Sequence, residues 1–158
     1  MTAARSIDEA LPAGASVLVD TSVALAYLTG GEAISDLAIE LFDRCLATGR
    51  NAGMLSMITV TELLVRPFRA GSAAVSTVEG FLRHFGDLRV APIDYATARE
   101  AARIRAVAGF SAPDALIVAT AVTGGIDVVV TNDASWPARV EKALPGQAVC
   151  VLQDLRRG

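Results

Sequence analysis

The sequence predicts a single α/β domain of three layers (α/β/α), in which a central, mainly parallel β-sheet lies between two layers of helices. Short apolar runs, such as residues 17–19 and 128–130, alternate along the chain with longer segments whose apolar residues recur at helical spacing. The chain has 158 residues, of which 53% are hydrophobic, so it can bury a large core without disulfide or metal staples. Strands that alternate with helices favour a parallel sheet covered on both faces.

The domain limits follow from composition. Residues 1–15 are mostly small or polar and are broken by Pro12 and Gly14, so we expect a short and partly helical arm ahead of the fold. We place the single domain at residues 16–153 and a polar tail at residues 154–158. No internal repeat or low-complexity segment divides the chain.

The first half of the chain contains two predicted strands, each followed by helical segments. The first strand ends abruptly at Asp20. The second is expected to give way at Thr59 to a helix that Pro67 ends or kinks, because proline interrupts helical hydrogen bonding. The predicted elements are a strand at residues 17–19, helices at 23–28 and 32–48, a strand at 54–58 and a helix from residue 59.

The second half continues the alternation. Pro92 indicates an edge position for the third strand, because proline cannot donate to a sheet ladder. Asp94 is expected to cap the next helix, which turns Ile104 and Val107 inward, and the helix after it is apolar nearly all round, as buried helices are. The predicted elements are a helix at residues 72–85, a strand at 89–93, helices at 95–107 and 115–123, and strands at 127–130 and 147–152.

Composition and charge limit the classes of function that the chain can have. The formal charge of −3 argues against general electrostatic binding of nucleic acid, although an ion bound to acidic ligands would offset that charge in a nuclease. Cys45 and Cys150 lack metal-ligand spacing, so we expect two reduced, buried thiols in a cytoplasmic protein. His84 and Trp136 are interpreted as structural. The sequence has neither a secretory signal nor an apolar run long enough to span a membrane, which predicts a soluble protein.

Asp20, Glu62, Asp114 and Asp133 share one local context, because each lies at or near the start of a predicted helix. Taken singly, such acids are most simply helix caps: Thr59-x-x-Glu62 and Ser111-x-x-Asp114 both match a capping box. As a set they indicate a shared site, because the strand-to-helix junctions that follow parallel strands all lie at one edge of the sheet. Asp114 joins them if its helix begins at that edge.

Four carboxylates in one place repel each other unless a cation lies between them. Oxygen ligands without nearby His or Cys select a hard ion, Mg²⁺ or Mn²⁺. Such an ion can activate water and neutralise charge on a phosphoryl oxygen, so hydrolysis of a phosphate ester is the natural chemistry. A haloacid-dehalogenase-like phosphatase is disfavoured, because Ser22 stands where that chemistry needs a second acid.

The motifs resemble the PIN domain, and within it the VapC-type toxins of toxin–antitoxin pairs. The resemblance rests on Val-Leu-Val-Asp20-Thr-Ser22, Thr-Val-Thr-Glu62-Leu-Leu, Pro-Asp114-Ala-Leu-Ile-Val-Ala-Thr-Ala and Thr131-Asn132-Asp133, in family order and at family-like spacing. It implies an endoribonuclease dependent on Mg²⁺ or Mn²⁺, neutralised by a cognate antitoxin and usually homodimeric.

Carried over by position, the resemblance makes the four acids the catalytic site, with Ser22 and Thr131 supporting them through hydrogen bonds. We expect Asp20 and Asp114 to contact the metal directly, and Glu62 and Asp133 to hold metal-bound waters. The candidate RNA contacts are Arg66, Arg103 and Arg105. The alternative is a PIN-like module that binds an antitoxin or RNA without cleaving it.

Overall fold

The computed structural model describes residues 5–155, and its centre is a five-stranded sheet. Every pair of neighbouring strands is parallel, and the strand order is β3-β2-β1-β4-β5. This confirms the predicted parallel sheet and places the proline-flanked third strand at an edge. The strands are β1 (Val17–Val19), β2 (Gly53–Ser56), β3 (Leu88–Ala91), β4 (Val128–Thr131) and β5 (Ala148–Val151).

Helices connect all the strands. The third helix changes from α-helical to π-helical hydrogen bonding over Glu40–Leu46, and a 3₁₀ turn, Leu152–Asp154, follows the last strand. The α-helices are α1 (Ile7–Ala10), α2 (Thr21–Thr29), α3 (Ser35–Ile39), α4 (Met57–Ala70), α5 (Ser72–His84), α6 (Tyr95–Ala108), α7 (Ala112–Thr123) and α8 (Trp136–Ala143).

The alternation of side chains along the strands produces two separate cores. Val17 and Val19 of β1 point into one core with residues of α1 to α5, whereas Leu18 points into the other with residues of α6, α7 and α8. Successive residues of a strand face opposite sides of the sheet, so each core occupies one face. The predicted three-layer α/β/α architecture is therefore confirmed.

The strand order creates a switch point between β1 and β4. From β1 the chain moves outward to β2 and β3, then returns to the other side of β1 to form β4 and β5. Helical connections on the two sides of a switch point diverge and leave a crevice at the carboxyl ends of the two central strands. Asp20 directly follows β1 and Asp133 closely follows β4, so both lie at this crevice.

The predicted boundary between the second strand and its helix was wrong. The strand ends at Ser56, whose extended backbone (φ −77°, ψ 148°) precedes the helix, and Met57 and Ile58 belong to α4. Pro67 lies inside α4, which continues to Ala70. A proline this close to the end of a helix removes one hydrogen bond and leaves the last turn intact, as the bond from the Gly71 N–H to the Pro67 carbonyl shows.

Two further expectations need correction, and the helix start expected near Asp133 is present. The helix predicted from residue 32 begins at Ser35. Val107 is 38% exposed while Ile104 is fully buried, because α6 packs on α7 and α8 along a narrower stripe than the sequence suggested. The segment that follows Asp133 forms a regular helix, α8, which Trp136 begins.

The segment ahead of the predicted domain start packs into the core. Ile7 is 1% exposed and Leu11 is fully buried. The Asn51 side-chain amide donates to the Pro12 and Ala15 carbonyls at 2.8 Å each, and the Arg50 guanidinium donates to the Leu11 carbonyl. The domain limits stay a prediction, but these contacts join α1 and its connection to the rest of the fold.

No single helix within residues 5–155 is long and apolar enough to cross a membrane; α6 and α7 meet those criteria only as a pair, bent by 117° at the break between them.

Candidate active site

Asp20 is a buried carboxylate held by hydroxyl groups. It is 5% exposed and directly follows β1, and its backbone N–H bonds to the Val130 carbonyl of the neighbouring strand. Ser22 Oγ and Thr131 Oγ1 donate to Asp20 Oδ2 at 2.9 and 2.8 Å. Both residues predicted to support the acids therefore bond to Asp20, one from its own helix and one from β4.

Burial is the main cause that raises the pKa of Asp20 to about 6; the hydrogen bonds from Thr131 and Ser22 oppose the rise, and the nearby negative charge of Asp114 contributes to it. Desolvation disfavours the ionised form of a carboxyl group, and so does a second carboxylate close by. The site therefore holds negative charge that its own donors do not fully balance.

Asp114 reaches Asp20 from the start of α7. Ser111 caps this helix, and its Oγ accepts a hydrogen bond of 3.4 Å from the backbone N–H of Asp114. The capping interaction predicted for Ser111 is thus present, but it uses the backbone of Asp114 and not its carboxylate. The carboxylate acts instead on Asp20.

Glu62 is oriented by two threonines. Thr21 Oγ1 donates to Glu62 Oε2, and Thr59 Oγ1 bonds Thr21 Oγ1 at 2.9 Å. The predicted capping box of Thr59 and Glu62 was wrong, because Ser56 is the cap residue of α4 and Thr59 lies within the helix. Glu62 is therefore beyond the first turn of α4, and Thr21, the neighbour of Asp20, joins it to the site.

Asp133 lies in the turn between β4 and α8. Its backbone N–H donates to Thr131 Oγ1 at 3.1 Å, and its Oδ1 accepts from the Ser135 N–H at 2.8 Å. The bond from Ser135 is the main cause that lowers the pKa of Asp133; the charge of Arg139 and the indole of Trp136 add to it. Thr131 thus bonds both Asp20 and the backbone of Asp133.

The structure brings the four acids to one edge of the sheet but not into one ready-made cluster. Asp20 and Asp114 interact directly through their charges, whereas Glu62 and Asp133 are joined to them through Thr21 and Thr131. Within residues 5–155, no three acidic, histidine or cysteine side chains lie close enough together to ligate one ion.

The donors at this edge nevertheless suit a hard divalent ion. All the side chains that contact Asp20 offer oxygen atoms, and the carboxylate has an excess of negative charge around it. Mg²⁺ in proteins commonly takes one or two carboxylates and keeps several waters, so a pair of acids with two more in reach of those waters fits its chemistry.

The predicted RNA-contacting arginines are not all free. Arg103 is held by Glu100 at 2.6 Å and by the Ala143 carbonyl, and Arg105 Nε donates to the Phe110 carbonyl. Arg66 is exposed and lines an apolar groove between α2, α4 and α5. Contact with RNA stays a prediction for all three, and the contacts of Arg103 and Arg105 do not favour it.

Sequence reasoning missed four residues that act on the acids, either directly or through a neighbour. Thr21 and Thr59 act on Glu62, while Trp136 and Arg139 act on Asp133. Thr59 was visible at helical spacing before Glu62, but the spacing was interpreted as a cap. The other three had no local signal, because their contacts depend on the packing of α2 against α4 and on the helical start at Trp136.

Comparison with solved structures shows the same fold in three bacterial toxin–antitoxin proteins. A toxin–antitoxin complex from Klebsiella pneumoniae matches with a TM-score of 0.65 and 19% identity, over 87% of this chain and 98% of that one. VapBC2 from Rickettsia felis, bound to a DNA fragment from its promoter, matches with a TM-score of 0.65 and 15% identity, over 85% and 96%.

The third structure is VapC20 from Mycobacterium tuberculosis, a toxin that cleaves the sarcin-ricin loop. It matches with a TM-score of 0.63 and 24% identity, over 78% of this chain and 94% of that one. A sequence search of curated proteins finds no match. The PIN domain model matches residues 17–142, which include all four acids, and the chain therefore belongs to the PIN domain family.

Proposed function

We propose that this chain is an endoribonuclease dependent on Mg²⁺ or Mn²⁺ and the toxin of a type II toxin–antitoxin pair. The observation that carries the proposal is the buried Asp20 carboxylate, close enough to a second carboxylate, Asp114, for that charge to raise its pKa, at the switch point of a PIN-domain sheet. Membership of the PIN family and the likeness to toxins in VapBC complexes support the same activity.

In this proposal Asp20 and Asp114 hold the ion directly, and Glu62 and Asp133 hold waters bound to it. Such an ion lowers the pKa of a bound water and neutralises charge that develops on the phosphodiester oxygens. The direct role of Asp20 is supported by its raised pKa, because a cation beside it would remove the cost of ionising a buried carboxyl group.

The hydroxyl groups have a positioning role. Ser22 and Thr131 both donate to Oδ2 of Asp20 and so fix the plane of that carboxylate. Thr21 donates to Glu62, and Thr59 supports Thr21 from within α4. Groups that hold ligands in this way commonly affect metal affinity and activity by about 10- to 100-fold.

The partners in this proposal are RNA, a cognate antitoxin and a second copy of the chain, and the compartment is the cytoplasm. Cys45 and Cys150 are both unpaired and buried, which suits a reducing compartment. The antitoxin is supported by the matched structures that contain toxin–antitoxin complexes. Sedimentation of the chain alone measures whether it forms the dimer, and sedimentation with the antitoxin measures whether the complex forms.

The test is cleavage of structured RNAs by the purified, antitoxin-free chain with Mg²⁺, with Mn²⁺ and with a chelator. We expect cuts with either metal and none with the chelator. Asp114→Asn removes one proposed ligand and is expected to abolish the cuts, whereas Glu79→Gln, which changes a partly exposed acid of α5 paired with Arg83, should cut as the parent does.

The second candidate is a PIN fold that binds an antitoxin or RNA without cleavage. The absence, within residues 5–155, of three acids close enough to ligate one ion is the observation that favours it. A parent protein that binds antitoxin but neither binds Mn²⁺ nor cuts any RNA would support this candidate over the nuclease.

A further inference from the structure

Trp136 carries an unsatisfied buried donor beside the proposed site. Its side chain is 1% exposed, and its indole Nε1 is the one buried side-chain nitrogen or oxygen within residues 5–155 that has no hydrogen-bond partner. A buried N–H without an acceptor has lost its bonds to water without a replacement, and buried tryptophans usually find an acceptor. From the sequence alone, Trp136 was interpreted only as a packing residue.

The indole lies close to Asp133. The Trp136 backbone N–H donates to the Asp133 carbonyl at 3.1 Å, which folds the turn between them, and the indole is among the groups that act on the Asp133 carboxylate. No acceptor, Asp133 included, meets the indole N–H in hydrogen-bond geometry. The Trp136 indole N–H and the Asp133 carboxylate are therefore neighbours without a hydrogen bond between them.

The ring itself is fixed from the other side. Phe110 packs edge-on against Trp136 with ring centroids 5.5 Å apart, and the Arg139 guanidinium lies 4.0 Å from the centre of the Phe110 ring. Arg139 also donates to the Ala108 and Gly109 carbonyls. The buried Trp136 ring is therefore the constrained partner, whereas Asp133 lies on an exposed turn.

We propose that Trp136 is a positioning residue, whose indole N–H donates to the Asp133 carboxylate and fixes the direction from which that carboxylate meets a metal-bound water. Ser135 then holds one oxygen of the carboxylate through its backbone N–H, and Trp136 holds the carboxylate from the helix side. This inference rests on the proposed function, because it assigns Asp133 to the ion's waters.

The hydrogen bond can be tested without metal, because Trp136 is the single tryptophan of the chain and gives one indole resonance in a ¹⁵N–¹H spectrum. We expect this resonance downfield in the parent protein and a clear upfield shift in Asp133→Ala, which removes the acceptor. An indole resonance that Asp133→Ala leaves in place would overturn the proposal.

The positioning role is tested by calorimetric titration with Mn²⁺ alone. Trp136→Phe keeps an aromatic ring against Phe110 but removes the N–H, and it is expected to weaken Mn²⁺ binding by about tenfold. Val140→Ala, the matched control, loosens the same core one turn further along α8 but keeps the indole N–H and its contact with Phe110, and its Mn²⁺ affinity should stay close to that of the parent.

Equal losses in the two variants, or no loss in Trp136→Phe, would reduce Trp136 to a packing residue. Thermal unfolding of each variant checks that it is folded. A parent protein that binds no Mn²⁺ would overturn the proposed function itself, whereas a parent that binds Mn²⁺ normally with an indole unaffected by Asp133 would overturn only the role of Trp136.

Discussion

Asp20 lies at the end of β1 in an environment that does not favour its charge. It is almost fully buried, its partners are the neutral hydroxyls of Ser22 and Thr131, and its nearest charged neighbour, Asp114, is also acidic. Hydroxyl donors stabilise an ionised carboxylate only in part, so the metal-free protein ionises this group at a cost. That cost can be measured as a reduced free energy of unfolding.

Removing the charge of Asp20 should stabilise the metal-free protein at neutral pH. The pKa of Asp20 rises from 3.8 to about 6 in the folded state. The folded state therefore binds more protons than the unfolded state between these values, and stability falls as pH rises through this range. Relative to the parent, Asp20→Asn should gain at most about 3 kcal/mol in free energy of unfolding between pH 4 and pH 7.

Urea unfolding of both proteins at the two pH values, in the presence of a chelator, measures this difference. Glu79→Gln, which changes a partly exposed acid of α5 paired with Arg83, is the control and should show no such trend. A difference between Asp20→Asn and the parent that stays constant from pH 4 to pH 7, or that grows in favour of the parent, would show that burial does not raise the pKa of Asp20.

At this scale the sequence predicted the acids but not what holds them. Asp20, Glu62, Asp114 and Asp133 were identified from their positions after strands and at helix starts, and Ser22 and Thr131 from the family motif. Thr21 bonds Glu62 across 41 positions of sequence, so its role depends on how α2 meets α4. No local pattern encodes such a contact.

Among the helices and strands, features that depend on a few neighbouring residues were predicted, whereas features that depend on the packing of the whole chain were not. Helix caps such as Asp94 and Ser111 were predicted, because a cap is a property of a few neighbouring residues. The end of β2 was misplaced because Met57 and Ile58 are as apolar as a strand, although they begin α4. The π-helical segment Glu40–Leu46 has the same apolar spacing as an α-helix and was not anticipated.

At the element scale, α1 is attached to the fold through Asn51. This side chain is fully buried, donates to the Pro12 and Ala15 carbonyls, and accepts from Arg50 at 2.6 Å. Asn51→Ala leaves these groups without their partner in the interior. We expect the free energy of unfolding to fall by about 3 kcal/mol.

Chemical unfolding of Asn51→Ala checks this expectation, with Thr48→Ala as the control. Thr48 is exposed and bonds only near its own turn, so its loss should cost less than about 0.5 kcal/mol. A cost for Asn51→Ala no larger than that of Thr48→Ala would show that the segment ahead of β1 is not held by this side chain.

The whole molecule explains why acids that are far apart in sequence lie at one edge of the sheet. The order β3-β2-β1-β4-β5 sets β1 beside β4, so Asp20 and Asp133 meet at the switch point although 113 positions separate them. Alternating strands and helices predicted the parallel sheet, but many strand orders satisfy that pattern. The strand order, and with it the crevice, came from the packing of the complete chain.

Binding of Mn²⁺, measured by calorimetry on the antitoxin-free chain, tests the central claim most directly, because it does not depend on which RNA is the target. We predict saturable binding by the parent and by Glu79→Gln, and a loss of about 100-fold or more in affinity for Asp20→Asn and Asp114→Asn. A parent that binds no Mn²⁺, or an Asp114→Asn variant that binds it as tightly as the parent, would contradict the account.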